Sequence, residues 1–291
     1  MLFRAAAGTQ AFRGLAPKRR ATADRGPQPG RPLLVRHRQH LTNLVYYATF
    51  REPVGRFVAP KLKNGFSDML IHIANVLTAE ELATCRAHLA EASWTDGRAT
   101  AGQQSAKVKA NLQLAEDSAE ARDLGQIVVR ALERNPFFMA AALPRHVFPP
   151  NFNRYEPGMT YGAHVDNAIR QVGRSPLRLR TDVSATLFLS DPADYDGGEL
   201  IIDGAQSVKL PAGDLVVYAA TSLHRVAPVT RGARNAAFFW VQSMVKDESE
   251  RTLLFELDRS IVELNRSLPD NPALVRLTAC YHNLLRRWAD M

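Results

Sequence analysis

The stretch Glu199-Leu-Ile-Ile-Asp203-Gly204-Ala-Gln-Ser-Val-Lys-Leu210 carries two short apolar runs separated by Asp-Gly. Asp-Gly tolerates the positive φ angles of a tight mirror-image turn, so the stretch reads as a β-hairpin. Outward from it the same rhythm repeats. Segments 151–156, 182–190, 199–203, 206–210, 214–219 and 234–245 are rich in residues that favour strands, and between them lie Asp196-Gly197-Gly198 and Pro211-Ala-Gly-Asp214. Many short strands divided by such turns predict a barrel or jelly roll rather than a parallel βαβ sheet.

The flanks change period. Thr78-Ala-Glu-Glu81 has the form of a capping box and opens a helix to about Ala92, with Leu82, Cys85, Leu89 and Ala92 on one stripe. A second helix follows Ser118, with Leu124, Ile127, Val128, Ala131 and Leu132 as its apolar face, and Asn135-Pro136 ends it. Beyond the strands, Leu253, Leu254, Leu257, Ile261 and Leu264 predict a third helix. Asn271-Pro272 opens a fourth, carrying Leu274, Leu277, Tyr281, Leu284, Leu285 and Trp288. These last two read as a helical hairpin packed on the β domain, or as a homodimerisation element.

Charge divides the chain. Its 291 residues have a net charge of +8, but residues 1–66 hold 13 Lys/Arg against two acids, a net +11. Residues 67–291 hold 24 Lys/Arg and 27 Asp/Glu, a net −3. That balance gives no electrostatic reason to expect nucleic acid at the folded part. The basic segment is rich in Pro and Gly and has no sustained period, the composition of a disordered extension. A flexible basic arm, a transit-peptide-like leader and a true start near Met69 all fit it. The last is favoured, because folded-type sequence begins abruptly at Met69-Leu-Ile-His-Ile. No apolar run approaches the roughly 18 to 20 residues of a membrane span. Two distant cysteines, Cys85 and Cys280, make no disulfide framework. They read as buried thiols in a reducing, cytoplasmic setting.

The chemistry concentrates in His164-Val165-Asp166, His224 and Arg234. In a strand, residues i and i+2 share a face, so His164 and Asp166 can reach one ion while Val165 points away. Two imidazoles and one carboxylate are the ligand set of a non-haem Fe(II) oxygenase. A zinc site could use the same spacing, although structural zinc usually recruits thiolates. A surface accident is the other reading of so short a motif. His224 follows the run Val216-Val217-Tyr218 and is placed to turn inward at a strand entry. Arg234 opens the apolar run to Trp240, where an inward guanidinium requires an anionic partner such as a carboxylate. Arg231 competes for that role from a loop. Gly158, Gly162, Asn167 and Arg170 cluster near the expected mouth. Asn167 and Arg170 could touch a substrate, but a solvated loop is the commoner reading.

Four stretches together resemble the PKHD-type hydroxylases, within the prolyl-4-hydroxylase-like Fe(II)/2-oxoglutarate dioxygenases, some of which are called iron-uptake factors. They are Asn153-Arg-Tyr-Glu-Pro-Gly-Met-Thr-Tyr-Gly-Ala-His-Val-Asp166, Tyr195-Asp-Gly-Gly-Glu-Leu200, Ser222-Leu-His-Arg-Val-Ala-Pro-Val-Thr-Arg-Gly-Ala-Arg234 and Phe238-Phe-Trp-Val-Gln-Ser-Met244. The resemblance covers residues 69–291. It implies an α+β fold with a double-stranded β-helix (jelly-roll) core at 148–246, an N-terminal helical part at 67–147 and a C-terminal helical hairpin at 247–291. It implies iron ligands at His164, Asp166 and His224 and a 2-oxoglutarate anchor at Arg234. Tyr155 either hydrogen-bonds the co-substrate or is a packed strand tyrosine. Fe(2+), 2-oxoglutarate, O2 and L-ascorbate are the implied cofactors and co-substrates, with succinate and CO2 as products. The prime substrate is left between a peptide side chain and a siderophore-related small molecule. A non-catalytic sensor of metal and 2-oxoglutarate is the alternative, disfavoured by the dicarboxylate clamp. A nucleic-acid-demethylating oxygenase of this superfamily would carry a second Arg six residues after Arg234, where this chain has Trp240.

Overall fold

Residues 69–173 and 175–291 are described by the structure, a computed structural model. The basic extension expected over 1–66 lies outside the described residues. In chain order the elements begin with β1 (Leu70–Ile73), α1 (Ala79–Glu91), β2 (Trp94–Asp96), α2 (Gln103–Ala106), β3 (Lys109–Ala110) and β4 (Leu112–Leu114). Then come α3 (Ala119–Glu133), α4 (Pro136–Ala142), β5 (Pro144–Val147), β6 (Asn151–Tyr155), β7 (Thr160–His164), β8 (Ile169–Gln171), β9 (Arg178–Arg180) and β10 (Val183–Phe188). They continue with β11 (Tyr195–Gly197), β12 (Leu200–Ile202), β13 (Gln206–Val208), β14 (Leu215–Ala219), β15 (His224–Val226), β16 (Val229–Gly232) and β17 (Arg234–Ser243). The helices α5 (Glu248–Ser267) and α6 (Ala273–Trp288) close the order.

The strands form an antiparallel jelly roll. A larger sheet runs β1-β14-β10-β17-β6-β4-β2, with β5 also on β17, and a smaller one runs β13-β12-β15-β7-β3. The hairpin at 199–210 forms as read. Leu200 pairs with Val208 and Ile202 with Gln206, and Asp203 and Gly204 both take positive φ. Alternation along β17 explains the layering. Ala237, Phe239 and Val241 belong to the main core under α1, α3 and α4, whereas Arg234, Phe238 and Trp240 face the space between the sheets. Burying apolar side chains on the helix side stabilises the sandwich by about 25 cal/mol per Å² removed from water.

Several expectations change. The segment 67–147 is not only helical: β1, β2 and β4 lengthen the larger sheet and β3 the smaller one. These strands were illegible because they are two to four residues long. Asn135-Pro136 ends α3 but also starts α4, with the Asn135 side chain accepting from Phe138 N. Every residue from Phe137 to Ala142 is buried, so that helix has no polar face and no period to read. Thr78 caps α1 through the expected reciprocal pair with Glu81. On α5 the buried stripe is Arg251, Leu254, Phe255, Asp258 and Val262, while Leu253 and Leu264 are exposed. The helix serves two contacts, Phe255 against Phe137 in the main core and Leu254 against Tyr281 and Leu285 of α6. Cys85 is buried as expected, but Cys280 is exposed on the outer side of α6. Among the described residues no helix is long and apolar enough to cross a membrane.

Candidate metal and dicarboxylate site

The smaller sheet brings two of the histidines face to face. His224 opens β15 and pairs across the ladder with His164, the last residue of β7. Asp166 lies just beyond the end of β7 rather than within it, so the strand-face argument covers only His164. Its carboxylate is steered instead by Ser184 of β10, whose hydroxyl donates to Asp166 Oδ2 at 2.6 Å. The three side chains offer ligand atoms that all lie within 4.8 Å of one another, with His224 Nε2 at 3.7 Å from Asp166 Oδ2.

Each ring is oriented by its own backbone. His164 Nδ1 donates to Gly162 O at 2.8 Å, and His224 Nδ1 donates to Ser222 O at 3.1 Å. A proton held on Nδ1 leaves the Nε2 lone pair for a cation, the arrangement that metal-binding histidines need. Tyr161 stacks on the His164 ring, with centroids 3.6 Å apart, and Tyr218 meets His224 edge-on at 5.2 Å. Burial, reinforced by His224, holds His164 down at about 4, so its imidazole is neutral. One carboxylate and two imidazoles on one side of the centre are a donor set that fits a divalent iron.

Arg234 sits at the closed end of the same cavity. It opens β17 opposite Tyr155 of β6 and is 1% exposed. Its guanidinium carbon lies 5.4 Å from the Tyr155 ring centroid and 5.2 Å from that of Phe188. Nε and Nη1 are buried with no hydrogen-bond partner among the described residues. Tyr195 lies within hydrogen-bonding reach of the group, but a buried guanidinium with unpartnered nitrogens is costly unless an anion enters, and a carboxylate matches its fork. Burial pushes the Tyr155 phenol up to about 12, so it remains a proton donor facing that space. Glycine is required in the wall: at Gly198 (φ +68°) an added Cβ would lie 3.1 Å from Arg234 Cδ.

The structure brings together all five singled-out residues: His164, Asp166, His224, Arg234 and Tyr155 line one cavity. Arg231 is excluded from it, being exposed and paired with Asp196 at 2.7 Å. Arg170, read as more in keeping with a solvated loop, turns inward and stacks on Trp240 at 4.0 Å, while Asn167 stays exposed at the mouth. Gly158 and Gly162 differ: Gly162 packs against Val108, and Gly158 turns with a φ of +87° at an open position. Sequence reasoning missed Ser184, Tyr161, Tyr218 and Lys109. Only the register of the sheets brings them to the cavity, and none sits in a spacing that signals it.

A jelly roll holding a His/Asp/His cluster beside a buried arginine defines the class of 2-oxoglutarate and Fe(II) oxygenases. Residues 150–242 match the family model of the 2OG-Fe(II) oxygenase superfamily, and residues 248–290 match the PKHD-type hydroxylase C-terminal domain. A PKHD-type hydroxylase of Methylobacterium nodulans is 60% identical over 227 residues, covering 77% of this chain and 100% of the relative. The PKHD-type hydroxylase PiuC of Pseudomonas aeruginosa is 58% identical over 226 residues, with the same coverage. A solved Pseudomonas putida prolyl-4-hydroxylase aligns with a TM-score of 0.39 and 23% identity, over 60% of this chain and 93% of that one. The chain belongs to the PKHD-type hydroxylases. It is an Fe(II)/2-oxoglutarate-dependent dioxygenase, with O2 and 2-oxoglutarate as co-substrates.

Proposed function

We propose that His164, Asp166 and His224 hold the iron, and that Arg234 and Tyr155 hold 2-oxoglutarate for hydroxylation of a C–H bond at the open end of the cavity. The observation that carries this reading is Arg234: a fully buried guanidinium, two of whose nitrogens lack partners, in the cavity that contains the His/Asp/His cluster. Iron and co-substrate together supply the oxidising chemistry, in which 2-oxoglutarate and O2 yield succinate and CO2 and one oxygen atom enters the substrate.

The protein's part is positional. Gly162 O and Ser222 O fix the two imidazole tautomers, and Ser184 fixes the carboxylate. Arg234 receives the distal carboxylate through a charge-assisted fork, and the Tyr155 phenol donates beside it. Tyr155, Phe188 and Tyr218 exclude water from that end, which strengthens every charge interaction there. Ascorbate is the reductant we propose for returning oxidised iron to Fe(II). Free thiols at Cys85 and Cys280 support a cytoplasmic setting. Exposed Leu253, Leu268 and Val275 on and beside the C-terminal helices support a homodimer, which analytical ultracentrifugation would detect as a doubled mass. For the prime substrate the family resemblance leaves two classes, a peptide side chain or a siderophore-related small molecule.

Calorimetric titration of 2-oxoglutarate into the metal-loaded protein tests the assignment. Wild type binds one equivalent per chain. Binding that is unchanged in Arg234→Met, or that needs none of the three proposed ligands, would overturn it.

A further inference from the structure

We propose that the prime substrate carries an anionic group, a carboxylate, which docks between Lys109 and Arg170 at the open end of the cavity, with its apolar body against Phe238 and Trp240. This rests on the reading of Arg234 as the co-substrate anchor and extends it to the other end of the same cavity. Phe238 and Trp240 lie on the β17 face that also carries Arg234, four and six residues further along. At about 3.4 Å per residue, that puts Trp240 on the order of 20 Å from Arg234 along the strand.

Two cations bracket this aromatic pair. Lys109 Nζ is 5.8 Å from the Phe238 ring centroid and 5.3 Å from that of Tyr161, and it donates to Gln113 Oε1 at 3.1 Å. The Arg170 guanidinium lies 4.0 Å over Trp240, and Phe238 and Trp240 meet edge to face at 5.6 Å. Arg170 Nε is buried without a hydrogen-bond partner among the described residues, and its nearest carboxylate, Glu116, stands off at 3.9 Å. Burial, with the charge of Arg170, pushes Lys109 down to about 8. Like charges in a shared low-dielectric space repel, so this pair is stabilised by an arriving anion.

A divalent iron, Asp166, a co-substrate dianion and Arg234 would sum to zero, and Glu116 and Asp166 attract both Lys109 and Arg170, so an arriving carboxylate would add to a partly balanced pair. At the opening, Val165 is an exposed apolar side chain beside Asp166 in sequence. A purely polar ligand would leave it and the Phe238–Trp240 pair unused. The chemistry that fits is a carboxylate attached to an apolar or aromatic body. The overall reaction is the balanced one of this class: the substrate C–H, 2-oxoglutarate and O2 give the C–OH, succinate and CO2.

The test uses the full chain loaded with Zn(II) and 2-oxoglutarate, which blocks turnover. N-acetylphenylalanine and its primary amide are titrated by calorimetry, as are short peptides that differ only by Glu or Gln at one internal position. The carboxylate member of at least one pair binds about tenfold or more tighter than its amide. Preference within the first pair identifies a free carboxylic acid, and preference within the peptide pair identifies an acidic side chain. Lys109→Met and Arg170→Met each cut the preference several-fold, and Lys109→Arg keeps it, which separates charge from packing. In all three variants the affinity for 2-oxoglutarate stays within about twofold of wild type, so the Arg234 reading is scored independently. Equal or absent binding of both members of both pairs overturns the proposal. So does a loss of 2-oxoglutarate affinity in the Lys109 and Arg170 variants, which would assign those cations to the co-substrate.

Discussion

The two ends of the cavity are both cationic but are built differently. At the closed end a single guanidinium, Arg234, is 1% exposed and boxed by Tyr155 and Phe188 on paired strands of the larger sheet. At the open end, Lys109 comes from a two-residue strand and Arg170 from a small separate hairpin of β8 and β9. The closed end is rigid because its residues lie inside a continuous hydrogen-bonded ladder. At the open end only the two cations sit on short peripheral elements, while Phe238 and Trp240 belong to β17 itself. On the proposed reading, the co-substrate takes the first end and the prime substrate the second.

The largest effect removes the centre that both ends serve. Asp166→Ala or His224→Ala abolishes stoichiometric Fe(II) binding and lowers 2-oxoglutarate turnover to background, as read by equilibrium dialysis and succinate release. Retained iron in either variant would mean that the three side chains are not one site. Next comes the closed end alone. Arg234→Met deletes a buried fork worth about 3 kcal/mol, so 2-oxoglutarate affinity falls on the order of 100-fold while Fe(II) binding persists. Ser184→Ala removes the 2.6 Å bond that aims Asp166 and weakens Fe(II) by roughly tenfold, with the fold intact by near-ultraviolet circular dichroism.

The smallest effect sharpens the contrast through pH. Lys109 is lowered to about 8 by burial and by Arg170, with Glu116, Asp166 and Asp96 pulling the other way. It is a cation below that value and neutral above it. Affinity for the carboxylate probe therefore declines as pH rises through about 8, by less than about tenfold since Arg170 remains charged, whereas affinity for 2-oxoglutarate does not follow. Lys109→Arg flattens the decline. A matching decline for 2-oxoglutarate would erase the distinction between the two ends.

Much of the fold was legible because burial imposes a period. The strands at 182–190, 199–203 and 234–245 alternate or run apolar between turn signals, and they form β10, β12 and β17 with trimmed ends. β7 was not read, since four of its five residues are half-buried and the fifth exposed, so no face stands out. α4 was missed for the opposite reason, being buried on every side. On α5 the expected stripe holds at Leu254, Leu257 and Ile261, whereas Leu253 and Leu264 are exposed and tertiary contacts bury Arg251 and Asp258 instead.

What the sequence determined by itself was the chemistry of the centre. Imidazole, carboxylate and guanidinium groups are intrinsic to His164, Asp166, His224 and Arg234, and their local spacing beside strand-forming residues already limits which way they can face. Tertiary structure alone decided what surrounds them. It set Ser184 against Asp166, Tyr155 opposite Arg234, and Lys109 and Arg170 on either side of Phe238 and Trp240. The physical reason is range. Side-chain chemistry and strand alternation act over a few residues, whereas these neighbours are distant in sequence and meet only through the register and packing of the two sheets.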